Sequence, residues 1–315
     1  MKRNNRRKKV SDKELNRGTG LLIIEVRQSN PNGDPDMESD PRTLETDGRG
    51  LISPVSFKRK LRDLMGNKDN PVWTTLKAKK MIDEKRKYDI LEERGRKRDD
   101  IGSMDAETFK KTYWDARIFG NTFLESMKED EKKSKKDAKA TSVDKAHFIS
   151  TGVVQFAPGV SIAPVEIIRL TLTNKAGVQR GKDRGMAPMA WRVVRHAVYA
   201  MPFFVNPMMA QKTGCDSLDI DILKFLIPYT YSNTTSAIRP IVEIRHAWYA
   251  EHKNPLGSCP DSFILDALMP KKERGSIEKA SSAIEDYTIP QKLPDEVIGR
   301  LHSFEDLCVK EWTTP

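Results

Sequence analysis

Residues 21–36 read LLIIEVRQSNPNGDPD, a short apolar run that ends in a dense cluster of turn-forming residues. The run from Leu21 to Val26 is rich in β-branched residues and is followed by polar ones, which predicts a buried strand. The segment from Asn30 to Asp36 combines prolines, asparagines and a glycine, so it must be a loop. A core strand that opens directly into a polar loop therefore marks the start of the folded region.

A helix is predicted to begin shortly after this loop. Ser53 can cap the helix with its hydroxyl, and Pro54 suits the first helical position because an N–H there has no helical partner. Lys58 and Arg62 lie four residues apart and therefore on one face, which we expect to be exposed. The opposite, buried face is expected to comprise Val55, Leu61 and Leu64.

Further elements are predicted along the rest of the chain. Short apolar runs indicate strands at residues 152–156, 167–173, 191–200 and 241–249. Helices are predicted at 74–98 and 218–226 and in patches between 278 and 312. Two stretches with little aliphatic content, 1–17 and 125–145, are predicted to be a flexible basic arm and an exposed loop. Strands and helices alternate without the period of a doubly wound sheet, so the predicted fold class is α+β.

The charge balance is basic, with 55 Lys and Arg against 45 Asp and Glu and a formal net charge of +10. Such an excess favours a polyanionic partner, although a merely basic protein without one agrees equally well with charge alone. No apolar run approaches the roughly 20 residues of a membrane span, and the basic N-terminus lacks the apolar stretch of a secretory signal. Three widely separated cysteines predict no disulfide framework, so a soluble cytoplasmic protein is expected.

Motifs for catalysis and cofactor binding are missing from the sequence. It has no paired cysteine or histidine motif for zinc, no phosphate-cradling glycine-rich loop and no serine-nucleophile elbow, so neither a metal nor a cofactor is expected. Asp34 and Asp36 are the exception, because two carboxylates in one loop can hold Mg²⁺ beside a phosphodiester. Asx-Pro and Asn-Gly pairs are also typical of a tight turn, which is the favoured interpretation.

Two basic clusters are more informative. The first lies near the start of the predicted helix, where consecutive phosphates are readily bound, and comprises Lys58, Arg59, Lys60 and Arg62. The second alternates with glycines and comprises Lys175, Arg180, Lys182 and Arg184, followed by Met186. A loop of this second kind can lie along a nucleic-acid backbone and insert its methionine between bases. A solvated helix face and an ordinary mobile loop are the respective alternatives.

Taken in order along the chain, these segments resemble a known family. An Asn-Pro-Asn-Gly-Asp-Pro loop at 30–35 is followed by a Pro-Arg pair at 41–42 and a basic helix start at 58–62. The combination resembles the repeated crRNA-binding backbone subunit of type I CRISPR interference (Cascade) complexes, the Cas-seven or Csd-two family, nearest to subtype I-C. Weaker matches follow in the same order, at residues 115–120, 154–156, 195–196, 236–239 and 249–257. The resemblance spans roughly residues 20–260.

The resemblance implies a palm of RNA-recognition-motif (ferredoxin-like) type that carries finger insertions and a thumb hairpin. It divides the chain into a basic flexible arm at 1–17, a first part of the palm at 18–65 and a finger region with charged loops at 66–150. The rest of the palm is expected at 151–260, with the thumb hairpin near 165–190, and a C-terminal extension at 261–315.

The resemblance also implies a function in antiviral defence. Several copies polymerise along one guide RNA and present it for pairing with target DNA, so that the protein reads backbone and shape while base pairing reads sequence. The implied partners are crRNA, target DNA, further copies of the chain and other Cascade subunits. Those subunits are a large subunit, a repeat-processing subunit and a helicase-nuclease that is recruited later. The implied location is the prokaryotic cytoplasm.

RNA contacts are expected from three groups of residues. Asn30 and Asn32 are expected to shape the first loop against the RNA. Contacts to the RNA backbone are expected from Arg42, Lys58, Arg59, Arg62 and Arg117. The thumb is expected to supply Arg180, Lys182, Arg184 and Met186.

Two alternatives belong to other classes of protein. In the related type III backbone subunits an aspartate of a corresponding loop cuts target RNA. A Mg²⁺-dependent ribonuclease that uses Asp34 or Asp36 is therefore the alternative to a non-catalytic subunit. A generic RNA-binding protein is the other alternative, and the order of the motifs disfavours it.

Overall fold

The strand predicted at 21–26 is the centre of the main sheet of this protein. The computed structural model describes residues 15–93, 101, 104–123, 148–175 and 186–308. Its strands are β1 (Gly18–Ser29), β2 (Arg49–Ile52), β3 (Gly120–Phe123), β4 (Phe148–Thr151), β5 (Val154–Phe156), β6 (Gly159–Pro164), β7 (Ile167–Lys175), β8 (Met186–Val205), β9 (Ile241–His252), β10 (Lys271–Lys272), β11 (Tyr287–Thr288) and β12 (Leu301–Asp306). Its helices are α1 (Pro54–Gly66), α2 (Pro71–Ala78), α3 (Ala106–Thr112), α4 (Trp114–Phe119), α5 (Ala210–Thr213), α6 (Ser217–Leu226), α7 (Asp261–Leu268) and α8 (Asp295–Ile298).

β1 is paired along both of its edges. It runs antiparallel to β8 on one side and to β9 on the other, and the sheet order is β12-β9-β1-β8-β6-β2. The long strand β8 also pairs with β5, β6 and β7 in succession along its second edge. A strand enclosed in this way is buried without alternation, as residues 18–26 are.

The two faces of β1 contribute to separate cores, because successive side chains of a strand point to opposite faces. Leu22, Ile24 and Val26 belong to the larger core, which also contains residues of α1 and α6. Leu21 and Ile23 belong to the second core, together with residues of α7, α8 and β12. The C-terminal part of the chain therefore completes the second face of the sheet.

α1 begins as predicted, and its buried face is predicted correctly in part. The Ser53 hydroxyl accepts a hydrogen bond from the Ser56 N–H at 3.2 Å, with proline at the first helical position. Leu61 and Leu64 are buried, but the prediction for Val55 is wrong, since 72% of this residue is exposed. Val55 lies six residues before Leu61 and hence about 240° around the helix, whereas Phe57, one turn before Leu61, is buried.

The other predicted elements agree with the structure in part. β5, β7, β8 and β9 overlap the predicted strands, and α6 coincides with the predicted helix at 218–226. The helix predicted at 74–98 is wrong for residues 79–93, since α2 ends at Ala78 and Lys80 takes a left-handed φ of 57°. Residues 94–98 lie outside the described residues. The helical patches predicted after 278 are wrong for β12, which pairs with the edge of β9. The loop at 125–145 and residues 1–14 of the arm lie outside the described residues.

β7 and β8 form a hairpin that passes the end of β1. Their register runs from Ile167 opposite Val194 to Lys175 opposite Met186. β1 meets β8 only from Val194 onward, at the other end of that strand. The half of β8 that begins at Met186 therefore lies beyond β1 and pairs with β7.

The fold class is α+β, as predicted. The named strands pair antiparallel, and helices from several parts of the chain pack on the sheet. Among the described residues, no helix combines the length and the apolar character that a membrane crossing requires.

Candidate nucleic-acid interface

Two asparagines hold the first loop in place. Asn30 is buried, and its Nδ2 donates to the backbone oxygens of Ser39 at 2.8 Å and Arg192 at 3.1 Å. Asn32 Oδ1 accepts from the Ser53 N–H at 2.8 Å. The loop is thus joined to β8 on one side and to the start of α1 on the other. Both residues shape the loop, and their contact with RNA stays a prediction.

The two aspartates of this loop take part in a turn. Asp34 Oδ1 accepts from the Asp36 N–H at 3.1 Å, the geometry of an Asx turn, and Asp34 Oδ2 pairs with Arg42 at 3.4 Å. In the described ranges no three His, Cys, Asp or Glu side chains are grouped to hold a metal ion. Asp34 therefore orders the loop and balances the charge of Arg42.

Acidic residues of the same loop also anchor the β7–β8 hairpin. Asp40 pairs with Arg169 of β7 and with Arg192 of β8, each at 3.1 Å, and Arg192 also pairs with Glu38. These contacts fix the base of the hairpin against the loop. The tip residues Arg180, Lys182 and Arg184 lie outside the described residues, and Met186 is placed only as the first residue of β8.

The prediction that Arg62 lies on an exposed helix face is wrong. Its side chain is 5% exposed, and its guanidinium pairs with Asp115 at 2.9 Å and Glu92 at 3.0 Å. Asp115 also accepts from the Leu91 N–H at 2.6 Å. The segment around residue 91, part of the predicted finger region, thus covers the second half of α1. Helical spacing carries no information about such a distant segment.

Arg117, a predicted contact to the RNA backbone, is also buried. Its side chain is 1% exposed, and Nε and Nη2 donate to the two carboxylate oxygens of Asp219 at 2.8 and 2.9 Å. Its Nη1 donates to the backbone oxygen of Lys110 at 2.8 Å. Within the matched stretch 115–120, Asp115 and Arg117 therefore bind other parts of the chain and serve the fold.

Three predicted cations keep access to solvent. Arg59 is nearly half exposed and pairs with Asp63 at 2.7 Å, one turn away. Lys58 is partly buried, with Nζ 5.4 Å from the centre of the Phe119 ring, and burial together with the nearby charge of Arg62 lowers its pKa. Lys58 forms no ion pair with any carboxylate among the described residues, whereas Arg42 has Asp34.

Lys60 and Arg239 are two further cations that the predicted contacts omit. Lys60 is buried, and its Nζ lies 3.1 and 3.4 Å from the hydroxyl and carbonyl oxygens of Ser56. Arg239 Nε donates to the backbone oxygen of Asn30 at 3.0 Å. Neither cation is paired with a carboxylate in the part of the chain that the structure describes. Both lie in stretches that the sequence singles out, the basic helix start and the match at 236–239.

A comparison with family models decides the family of this chain. The model of the family described as CRISPR-associated protein Cas7 matches residues 16–292. The chain belongs to the Cas7 family. The Cas7 match contains the first loop, α1, the β7–β8 hairpin and the turn that carries Arg239.

The individual proteins and solved structures similar to this chain share little sequence identity with it. A protein of Haloferax volcanii described as CRISPR-associated protein Cas7 is 26% identical over an alignment of 236 residues and covers 71% of this chain. The chain spans 66% of that relative's length. A solved structure titled CRISPR RNA-guided surveillance complex, pre-nicking, has 14% identity and a TM-score of 0.45, covering 79% of this chain and 80% of its own. Another, titled CRISPR RNA-guided surveillance complex, has 15% identity and a TM-score of 0.38, covering 77% and 72%.

Seven cations within the Cas7 match fall into three groups. Arg62 and Arg117 are buried against carboxylates and stabilise the fold. Those at the surface are Arg42, Lys58 and Arg59. Lys60 and Arg239 have no carboxylate partner among the described residues.

Proposed function

We propose that this chain is a non-catalytic backbone subunit that binds the guide RNA of a CRISPR surveillance complex. The observation that carries the proposal is the Cas7 match over residues 16–292. Several copies polymerise along one crRNA and present it to target DNA, together with other Cascade subunits, in the prokaryotic cytoplasm. The order of the loop at 30–35, the pair at 41–42 and the helix start at 58–62 supports type I, nearest to subtype I-C.

The proposed palm is of RNA-recognition-motif (ferredoxin-like) type, with fingers at 66–150 and the β7–β8 hairpin as its thumb. The chain order β1, α1, β8, α6, β9 and the sheet order β9-β1-β8 support this palm. RNA-recognition motifs stack bases on aromatic residues of an open sheet face. Here both faces of β1 are buried in cores. Coverage of both faces supports recognition of the RNA backbone, with the bases left free to pair.

The guide RNA is proposed to follow the surface that joins the first loop, the start of α1 and the hairpin. The contacts proposed from the described surface are Asn30, Asn32, Arg42, Lys58 and Arg59. The hairpin tip is proposed to supply Arg180, Lys182, Arg184 and Met186. Arg62 and Arg117 are left out, because each is buried and its charge is already balanced by a carboxylate.

A structural role for the first loop supports a non-catalytic subunit. Asp34 is held by Arg42 and by the N–H of Asp36, so one of its oxygens serves the turn and the other an ion pair. Both contacts fit a residue whose role is to order the loop.

Sequencing of the nucleic acid that co-purifies with the chain tests the main proposal. We expect repeat-spacer RNA, and its enrichment should fall when Lys58 and Arg59 are both changed to Gln, with Lys292→Gln as a distant exposed control. Mixed cellular RNA without repeats would contradict the guide-RNA function.

Incubation with complementary RNA and Mg²⁺ tests the absence of catalysis. We expect intact RNA after incubation with the assembled complex. Regularly spaced cuts that disappear with Asp34→Ala would instead identify a ribonuclease.

A further inference from the structure

Lys60 is a buried cation that has no ion-pair partner among the described residues. Only 7% of the residue is exposed, and its described hydrogen-bond partners are the two oxygens of Ser56. Burial, reinforced by the charge of Arg239, lowers the pKa of Lys60 to about 8, while Asp63 opposes the shift weakly. A buried ammonium without an acidic partner costs stability, because its lost hydration is not replaced by an opposite charge.

Arg239 adds a second positive charge to the same place. One nitrogen, Nε, is used by the backbone oxygen of Asn30, which leaves the outer edge of the guanidinium with no carboxylate partner among the described residues. Its positive charge acts on Lys60, and an anion bound near both cations would offset their repulsion. The pair therefore has the composition of an anion site.

Tyr231 connects this pair to an open groove. Lys60 Nζ lies 5.4 Å from the centre of the Tyr231 ring, and the buried Tyr231 hydroxyl has no hydrogen-bond partner among the residues that the structure describes. Tyr231 and Pro240, the neighbour of Arg239, both line a groove of about 640 Å³. The groove is also lined by Ser232, Thr235, His246 and the ion pair of Arg245 with Glu243, whose atoms lie 3.2 Å apart. It has polar groups, one ion pair and an aromatic ring, and a volume in the range of small-molecule sites.

We propose that Lys60 and Arg239 together bind one phosphate of single-stranded RNA, with the adjoining nucleotide in the groove beside Tyr231. The inference rests on the proposed function for the source of the phosphate, a guide-RNA backbone. The ammonium offers up to three donors and the guanidinium a planar edge that matches phosphate oxygens. A bound phosphate supplies the missing negative charge, so the site that weakens the free protein strengthens the complex.

The first test measures RNA affinity. Lys60→Met, Arg239→Gln and the distant control Lys292→Met are titrated with a short fluorescein-labelled single-stranded RNA at several salt concentrations. We expect each site variant to bind about tenfold more weakly. The slope of log K against log salt should shrink by about 0.7 for each lost phosphate contact. Unchanged affinity and slope in both site variants, with wild-type protein that binds RNA, would overturn the site and leave the proposed function standing.

The second test measures thermal stability without RNA. Replacement of a structural lysine lowers the melting temperature, whereas replacement of a phosphate-binding lysine leaves it unchanged or raises it. Methionine fills the volume of Lys60 and removes the buried charge, so Lys60→Met should melt at or above the wild-type temperature while it binds RNA more weakly. A loss of stability in Lys60→Met that accounts for its RNA defect would overturn the proposal and make Lys60 a structural residue.

Inorganic phosphate provides an arm that does not depend on RNA. It should raise the melting temperature of the wild-type protein and of Lys292→Met, and raise it less in Lys60→Met and Arg239→Gln. If the wild-type protein fails to retain RNA, the proposed function falls and this arm decides the site. Protection lost in the two site variants supports the anion site, and equal or absent protection overturns it.

Discussion

The guanidinium of Arg117 donates two hydrogen bonds, of 2.8 and 2.9 Å, to the carboxylate of Asp219, which lies 102 residues later in the chain. The pair joins α4 to the first turn of α6, and both side chains are 1% exposed. Arg86 approaches the same carboxylate at 3.6 Å. Arg117, which the sequence predicts as an RNA contact, thus connects two helices inside the protein.

Removal of Arg117 should therefore cost stability. We expect Arg117→Ala to lower the free energy of unfolding by about 3–5 kcal/mol, because Asp219 is left buried without its main counter-charge. Urea denaturation followed by circular dichroism measures the change. Arg195→Ala, which removes an exposed arginine paired with the equally exposed Glu166, is the control and should shift the midpoint little. A wild-type midpoint combined with lost RNA binding would show that Arg117 contacts RNA.

Gly120 should not tolerate a side chain, because a Cβ would collide with neighbouring backbone atoms in addition to the strain of its positive φ. Its φ is +77°, and a Cβ there would lie 2.3 Å from the Ser150 oxygen and 2.4 Å from the Gly152 nitrogen. Gly275 has a similar φ of +73°, but its nearest atom is 3.9 Å away. We expect Gly275→Ala to lose about 1 kcal/mol from backbone strain and Gly120→Ala to lose clearly more. Equal losses in thermal denaturation would show that the β3–β4 pair yields easily.

The stability difference between Lys60→Met and the wild-type protein should depend on pH. The pKa of Lys60 is about 8 in the folded protein against an ordinary value of 10.5, so between these values the unfolded chain binds more protons. Stability from this group therefore rises with pH across that window, and the penalty is fully present below pH 8. We expect the melting-temperature advantage of Lys60→Met to be largest near pH 7 and to shrink towards pH 10. A difference that is constant from pH 7 to 10 would contradict the shifted pKa.

The segment between β7 and β8 should serve assembly more than folding. Because Lys175 and Met186 are paired, an Asn-Gly turn can replace residues 176–185 without a change of register. We expect this variant to keep its circular dichroism and melting temperature and to form shorter assemblies on guide RNA, as measured by mass photometry. A second variant, with a ten-residue Gly/Ser loop in place of residues 176–185, keeps the length and removes the charges, so it separates the effects of charge and of length. Normal assemblies from both variants would leave the segment as an ordinary connector.

Local sequence signals were sufficient for the elements whose cause is local. The strand at 21–26 is buried over its whole length and apolar except for Glu25, the loop at 30–36 consists of turn formers, and Ser53-Pro54 starts a helix. The ordered motifs of these segments also predicted the family to which the chain belongs. Each of these features depends on residues within a few positions of one another, so the chain alone carries the information.

The fate of the individual cations was decided only by the tertiary structure. Lys58, Lys60 and Arg62 stand on one short helix. Arg62 pairs with Asp115, the charge of Arg239 helps to lower the pKa of Lys60, and Lys58 has no carboxylate partner in the described ranges. The partners come from positions about 50 to 180 residues away, and helical spacing cannot say which cation meets one. The sequence determined that positive charge gathers at the start of α1. Packing decided which charges stabilise the fold and which remain for an anion, because burial and opposite charge depend on what lies next to a side chain in space.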